Sequence, residues 1–155
     1  MAFKLPEQPI VLREATHQDA EAIQRLADTL GYPSATEQVA GRLRRMHSDD
    51  RHCILVAVLP GMGVVGWLHV FRHELLCTDP FAEIGGFIVD DAFRGRGIGA
   101  RLIEAAEYWA KSIGSPILRV RTRLERERAH HFYYRHGFEK SKTQLVLIKT
   151  FDPQR

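Results

Sequence analysis

The sequence predicts an α+β fold, layered α/β/α, with helices on both faces of a mixed, mostly antiparallel central sheet. Three observations point to it. Two apolar runs, His52 to Leu59 and Val64 to His73, flank the turn signal Pro60-Gly61-Met62-Gly63, which reads as an antiparallel hairpin. Phe81 to Val89 then leads through a glycine-rich turn into a long amphipathic helix and out into Ile117 to Thr122, a parallel βαβ pattern. Finally, 155 residues of 45% hydrophobic composition supply one sizeable core, so residues 1–155 are expected to form a single domain.

Each element has its own reason. Pro9 to Glu14, with β-branched Ile10 and Val11, reads as a first strand. Thr16 and Asp19 have capping-box spacing, and Ala20, Ile23, Ala27 and Leu30 follow at helical period until Gly31 and Pro33 stop them. Ser34 and Glu37 repeat the box before a second helix with Val39, Leu43 and Met46 on one face. After the hairpin, Glu74 to Pro80 is a loop. Gly85-Gly86 interrupts the next strand, which signals a bulge or a close backbone approach. Ile98, Leu102, Ala106, Trp109 and Ile113 form the inward stripe of the long helix, which Gly114 and Pro116 end. A helix over Glu125 to His136 and a closing extended segment over Gly137 to Thr150 complete the order β, α, α, three strands, α, β, α, β.

Composition excludes several classes. The longest apolar stretch, Ile54 to Leu59, is far short of the roughly 20 residues of a membrane span. The N-terminal Met1 to Glu7 lacks the apolar core of a signal peptide, so a cytoplasmic protein with no membrane partner is expected. Cys53 and Cys77 read as two buried thiols, too few for a disulfide framework. His130 and His131 are adjacent and point apart on a helix, and no H-E-x-x-H occurs, so no metal site is expected. Twenty-two basic against 19 acidic side chains give a net charge of +3, a mild lean toward anionic ligands and no mark of a nucleic-acid binder.

The most informative stretch is Val89-Asp90-Asp91-Ala92-Phe93-Arg94-Gly95-Arg96-Gly97-Ile98-Gly99. It joins a strand end to a helix start, where free N–H groups and the helix dipole favour an anion. Glycines let the backbone approach phosphate oxygens, and Arg94 and Arg96 add cationic donors. A P-loop would need Gly-Lys-Ser/Thr, which is absent. Gly95, Gly97 and Ala100 also fit the dinucleotide pattern G-x-G-x-x-A. That pattern needs an acidic residue about 20 residues on, where this chain has Arg119, Arg121 and Arg123. An NADP-binding protein is therefore the minor alternative.

Arg94-Gly95-Arg96-Gly97-Ile98-Gly99 resembles the R-x-x-G-x-G/A pyrophosphate loop of the GNAT superfamily of acetyl-CoA-dependent N-acetyltransferases. Ala129-His130-His131-Phe132-Tyr133-Tyr134-Arg135-His136-Gly137-Phe138 is similar to that family's A-x-x-F-Y-x-x-x-G-F motif, and the likeness runs from Val11 to about Phe151. The resemblance implies the acyl-CoA N-acyltransferase fold, with a splay between two central parallel strands, and acetyl-CoA as co-substrate. It further implies that the amides of Arg96, Gly97, Gly99 and Ala100 bind the pyrophosphate, within a cofactor loop from Arg94 through Gly95 and Ile98. Phe87, Ile88 and Val89 would lie along the pantetheine arm. Where the family often carries asparagine, three residues before the motif alanine, this chain has Arg126, to which no role is transferred.

Acetyl transfer to an amine needs a neutral nitrogen, and deprotonating a lysine-like amine at pH 7 costs roughly 4.6 kcal/mol. Glu83, on the strand leading to the glycine turn, stands where several relatives carry a catalytic glutamate. The same position suits a carboxylate that merely pairs with an arginine, and both readings stand. Tyr133 matches the family's tyrosine and is the candidate acid for the leaving thiolate. Gly85-Gly86 would permit a bulge whose N–H polarises the thioester carbonyl, or simply close packing under the long helix. His69 and His73 share a strand face with Trp67 and Phe71 and offer an alternative base or a structural role. Arg119 and Arg121 mark a strand face open to solvent or to a second subunit, which keeps a homodimer in view. The expected function is transfer of an acetyl group to a small-molecule or peptide amine by direct attack in a ternary complex, with a catalytically silent CoA-binding module as the alternative.

Overall fold

The computed structural model describes residues 9–153, which fall into two compact units divided after Arg121. The stretch from Met1 to Glu7, read above for export signals, lies outside the described residues.

The first unit is built on a five-stranded sheet in the order β1-β2-β3-β4-β5. Its strands are β1 (Val11–Glu14), β2 (His52–Leu59), β3 (Gly63–His73), β4 (Phe81–Val89) and β5 (Leu118–Val120). Neighbours pair antiparallel except β4 and β5, which are parallel, so the mixed sheet is as expected. Helices α1 (Ala20–Asp28) and α2 (Thr36–His47) connect β1 to β2, and α3 (Ile98–Ser112) connects β4 to β5.

Strand alternation divides the core between the two sheet faces. On one face, Val56 and Trp67 lie opposite each other in register and pack with Ala20, Ile23, Ala40 and Leu43 of α1 and α2. On the other, Leu68 and Val70 are fully buried, as are Leu102 and Ala106 of α3. Gly66 lets α3 come close: a Cβ there would stand 3.4 Å from both Ile98 Cγ2 and Leu102 Cδ1.

The first capping box forms as read. Asp19 Oδ2 accepts the Thr16 N–H at 2.8 Å, and the same carboxylate takes two 2.8 Å bonds from Arg13. The second box is displaced by one residue from Ser34 and Glu37. Ala35 is the N-cap, and Gln38 Oε1 accepts its N–H at 2.9 Å, while Ser34 Oγ accepts from Arg42. Alanine has no capping oxygen, so only the return half of the box exists. Cys53 is half-buried, but Cys77 is exposed in the loop before β4, so the expectation of two buried thiols fails there.

The second unit, residues 122–153, contains α4 (Glu127–Arg135). Gly137 follows at φ 84°, a left-handed stop that only glycine adopts freely. The closing segment forms no strand. Leu145, Val146, Leu147 and Ile148 are exposed, and residues 139–153 make no backbone hydrogen bond among the described residues.

Candidate active site

The glycine turn is a short 3-10 turn, Asp91–Phe93, followed by two left-handed glycines, Gly95 at φ 78° and Gly97 at φ 77°. Asp90 starts it by accepting the Ala92 N–H at 3.0 Å. Gly97 is the N-cap of α3, and its carbonyl accepts the first helical bond, from Arg101 N–H at 3.1 Å. Among the described residues, nothing accepts the N–H groups from Gly95 through Ala100. A Cβ on Gly95 or Gly97 would meet no atom within 4 Å, so the bend is open rather than plugged by neighbours. Converging N–H groups at the positive end of a 15-residue helix suit a phosphate. Arg94 pairs with Asp91 at 2.5 Å, and Arg96 lies over the Phe93 ring at 5.2 Å, so both guanidiniums stay at the turn.

The strand feeding this turn is unzipped on one side. The parallel β4–β5 pairing covers only Ala82 to Ile84 against Leu118 to Val120, and β4 runs on to Val89 beyond the end of β5. This is the expected splay. Ile88 is buried, and Phe87 and Val89 are half-buried along that length.

The register against β3 shows why the strands part. His69 pairs with Gly86 and Val70 with Ile84, so Gly85 is the extra residue of a β-bulge. Gly86 sits directly against Trp67, where a Cβ would come within 2.6 Å of the indole ring. The bulge therefore forms at Gly85, while the close packing at Gly86 is against Trp67, on the α1–α2 face, and not under the long helix as expected.

On the face of the sheet that carries Trp67, rings and charges form a continuous row. His52 and His69 lie 5.1 Å apart between centroids, His69 and Phe71 5.5 Å, Phe71 and His73 4.7 Å, and His73 and Phe81 5.0 Å. Arg119 closes the row, 4.5 Å above the Phe81 ring. Glu83 lies between His73 and two arginines. Its Oε2 meets His73 Nε2 at 2.5 Å, and its Oε1 accepts from Arg119 Nε at 2.6 Å, with Arg121 Nε at 3.3 Å. Burial pushes the Glu83 carboxyl up, but bonds from His73 and Arg119 outweigh it and hold its pKa below the usual carboxylate range. His69 is pushed down to about 4, mainly by burial and secondarily by His52, so it is neutral at physiological pH.

Tyr133 belongs to the second unit. Its ring stands 5.6 Å from Phe132 and 5.3 Å from Phe138, both edge-on. Burial raises its pKa to about 12, against a smaller lowering by Arg126, so the phenol keeps its proton through neutral pH.

Glu83 and Phe87 through Ala100 thus lie together in the first unit, and Tyr133 lies in the second. Sequence reasoning missed His52. Its diagonal pairing to His69 depends on the β2–β3 register, and its only sequence signal was a histidine at a strand start.

Comparisons with known proteins match this architecture. The chain is 25% identical over 146 residues to aminoglycoside N(6')-acetyltransferase type 1 of Stenotrophomonas maltophilia, spanning 92% of this chain and 94% of that protein. It is 28% identical over 135 residues to aminoalkylphosphonate N-acetyltransferase of Salmonella typhimurium, spanning 84% and 85%. It superposes on AAC(6')-Iy in complex with the bisubstrate analogue CoA-S-monomethyl-acetylneamine with a TM-score of 0.80 at 18% identity, covering 92% of this chain and 99% of that one. Fold and relatives together define an acyltransferase. More particularly, the chain belongs to the Acetyltransferase (GNAT) family, whose model matches residues 17–138.

Proposed function

We propose that this enzyme transfers the acetyl group of acetyl-CoA to a primary amine of a small molecule or peptide, both substrates being bound together. The observation that carries the reading is the open turn from Gly95 to Ala100, whose N–H groups have no protein acceptor among the described residues. Acetyl-CoA, when bound, supplies an activated acyl group at a thioester carbonyl. The amides of Arg96, Gly97, Gly99 and Ala100 hold its pyrophosphate, with Arg94, Gly95 and Ile98 completing the loop. The stretch of β4 from Phe87 through Ile88 to Val89 orders the pantetheine arm. The bulge at Gly85 supplies an N–H for the carbonyl oxygen, and the Tyr133 phenol donates a proton to the leaving thiolate.

Of the two readings of Glu83, its contacts favour the ion pair. Both oxygens are already engaged, Oε2 by His73 and Oε1 by Arg119, so the carboxylate is committed to these side chains. We assign Glu83 to positioning His73 and Arg119 at the acceptor end of the site. Relatives named for aminoglycosides and aminoalkylphosphonates support a small polar amine as acceptor.

The deciding experiment is thiol release from acetyl-CoA across a panel of polyamines, aminoglycosides, aminophosphonates and peptide amines. Release with at least one class above the amine-free rate supports transfer. Tight CoA binding with no release on any amine supports the silent binding module instead.

A further inference from the structure

A row of polar side chains runs from the surface into the bulge of β4, and one choice of tautomers connects its members. At the outer end, Asp49 Oδ2 lies 3.8 Å from His52 Nε2. Asp49 is a carboxylate, held well below the usual range by the Arg51 side chain first and by the Arg51 N–H next, so it can only accept. With its proton on Nε2, toward Asp49, His52 accepts at Nδ1. That nitrogen is 2.9 Å from His69 Nε2, which donates in this tautomer. The ring nitrogen then left without a hydrogen-bond partner among the described residues is His69 Nδ1. It faces the bulge, 3.4 Å from where a Gly85 Cβ would stand.

Resting on the acetyltransferase reading above, we infer that Asp49, His52 and His69 form a proton exit from the acylation site, with His69 as the base and His52 and Asp49 as its positioning partners. The overall reaction of an ammonium group with a thioester gives amide, thiol and one free proton, and this chain carries that proton. The ammonium N–H bond breaks and an N–H bond forms at His69 Nδ1. His69 Nε2 passes its own proton to His52 Nδ1, and His52 Nε2 releases its proton to water beside Asp49. Of the two protons still on the attacking nitrogen, one is lost as the amide forms and balances the one taken up by the thiolate, and the other stays on the amide. Between turnovers, with water in the site, both rings return to the starting tautomer. Burial makes His69 a weak base in isolation, but a base that hands its proton onward need not hold it. The other titratable pair on this face, His73 and Glu83, lies beyond Phe71 and is tied to Arg119.

Two measurements test this. Long-range nitrogen–proton correlation spectra of the free, full-length protein should show His69 protonated on Nε2 and His52 also on Nε2; a proton on His69 Nδ1 overturns the chain. With whichever amine the panel identifies, His69→Gln should lower kcat about 100-fold and His52→Gln about tenfold, the acetyl-CoA KM moving less than about twofold. Added imidazole should restore part of the activity lost in His69→Ala, a response that a purely packing role would not give. Active wild type with unaffected variants defeats the relay alone. Wild type inactive on every amine defeats the acetyltransferase reading, and the relay with it.

Discussion

Glu83 and Arg119 face each other across the short parallel pairing of β4 and β5, joined by a 2.6 Å bond from Arg119 Nε to Glu83 Oε1. Opposite charges at that register close the end of the sheet, and the same carboxylate holds His73 from the other side.

Glu83→Gln should therefore destabilise the fold by about 1–3 kcal/mol, because cations are left facing a neutral amide. The effect should depend on pH. The folded pKa of Glu83 is lowered, so its contribution is complete above the ordinary value of 4.5 and is lost as pH falls through the folded value. Denaturant midpoints measured from pH 7 to pH 3 should converge for wild type and variant. Parallel curves would show that Glu83 is not the titrating group.

Gly86→Ala pushes a methyl into Trp67, where the nearest ring carbon stands 2.6 Å away. A loss of about 1–3 kcal/mol is expected from overpacking. Trp67→Leu in the same chain should recover part of that loss, since the clash is with the indole itself. Thermal unfolding of the two single variants and the double variant reads the coupling.

At Gly97 the obstacle is the backbone, since the space around it is empty and φ is 77°. Gly97→Ala should cost about 1–2 kcal/mol of stability and weaken acetyl-CoA binding about tenfold or more as the turn reshapes. Calorimetric titration with acetyl-CoA measures the second quantity. Unchanged affinity would remove the turn from the cofactor site.

Tyr133→Phe removes a proton donor while keeping the ring between Phe132 and Phe138. Turnover should fall about 100-fold with the acetyl-CoA KM nearly constant. A constant kcat would leave Tyr133 as a packing residue.

Asp19 combines a helix-start bond to the Thr16 N–H with the paired bonds from Arg13. Asp19→Ala should cost about 1–2 kcal/mol, at the upper end of capping effects because the guanidinium loses its partner as well. Urea unfolding at pH 7 checks it.

Features that are local in the chain were legible before any coordinates. The glycine turn, the stripe of α3 and the first capping box depend on residues within a few positions of one another. Misreadings arose where a neighbour elsewhere in the chain decides. Ser34 and Glu37 had capping-box spacing, yet Arg42 takes the Ser34 hydroxyl and Gln38 caps Ala35 instead. Leu145 to Ile148 have strand propensity, yet make no backbone hydrogen bond among the described residues. His52 was silent for the same reason, since only the strand register brings it beside His69. For Glu83 the residue type left base and ion pair equally open, and the positions of Arg119 and His73 separate them.

The early end of the β4–β5 ladder has a consequence for observation. Past Ile84 no strand of the first unit pairs with the outer edge of β4, so the outward amide of Val89 should trade its proton quickly with deuterated solvent. A donor molecule lying along that edge would slow the trade. Val89 thus acts as a native reporter of occupancy, readable by mass spectrometry with no label attached.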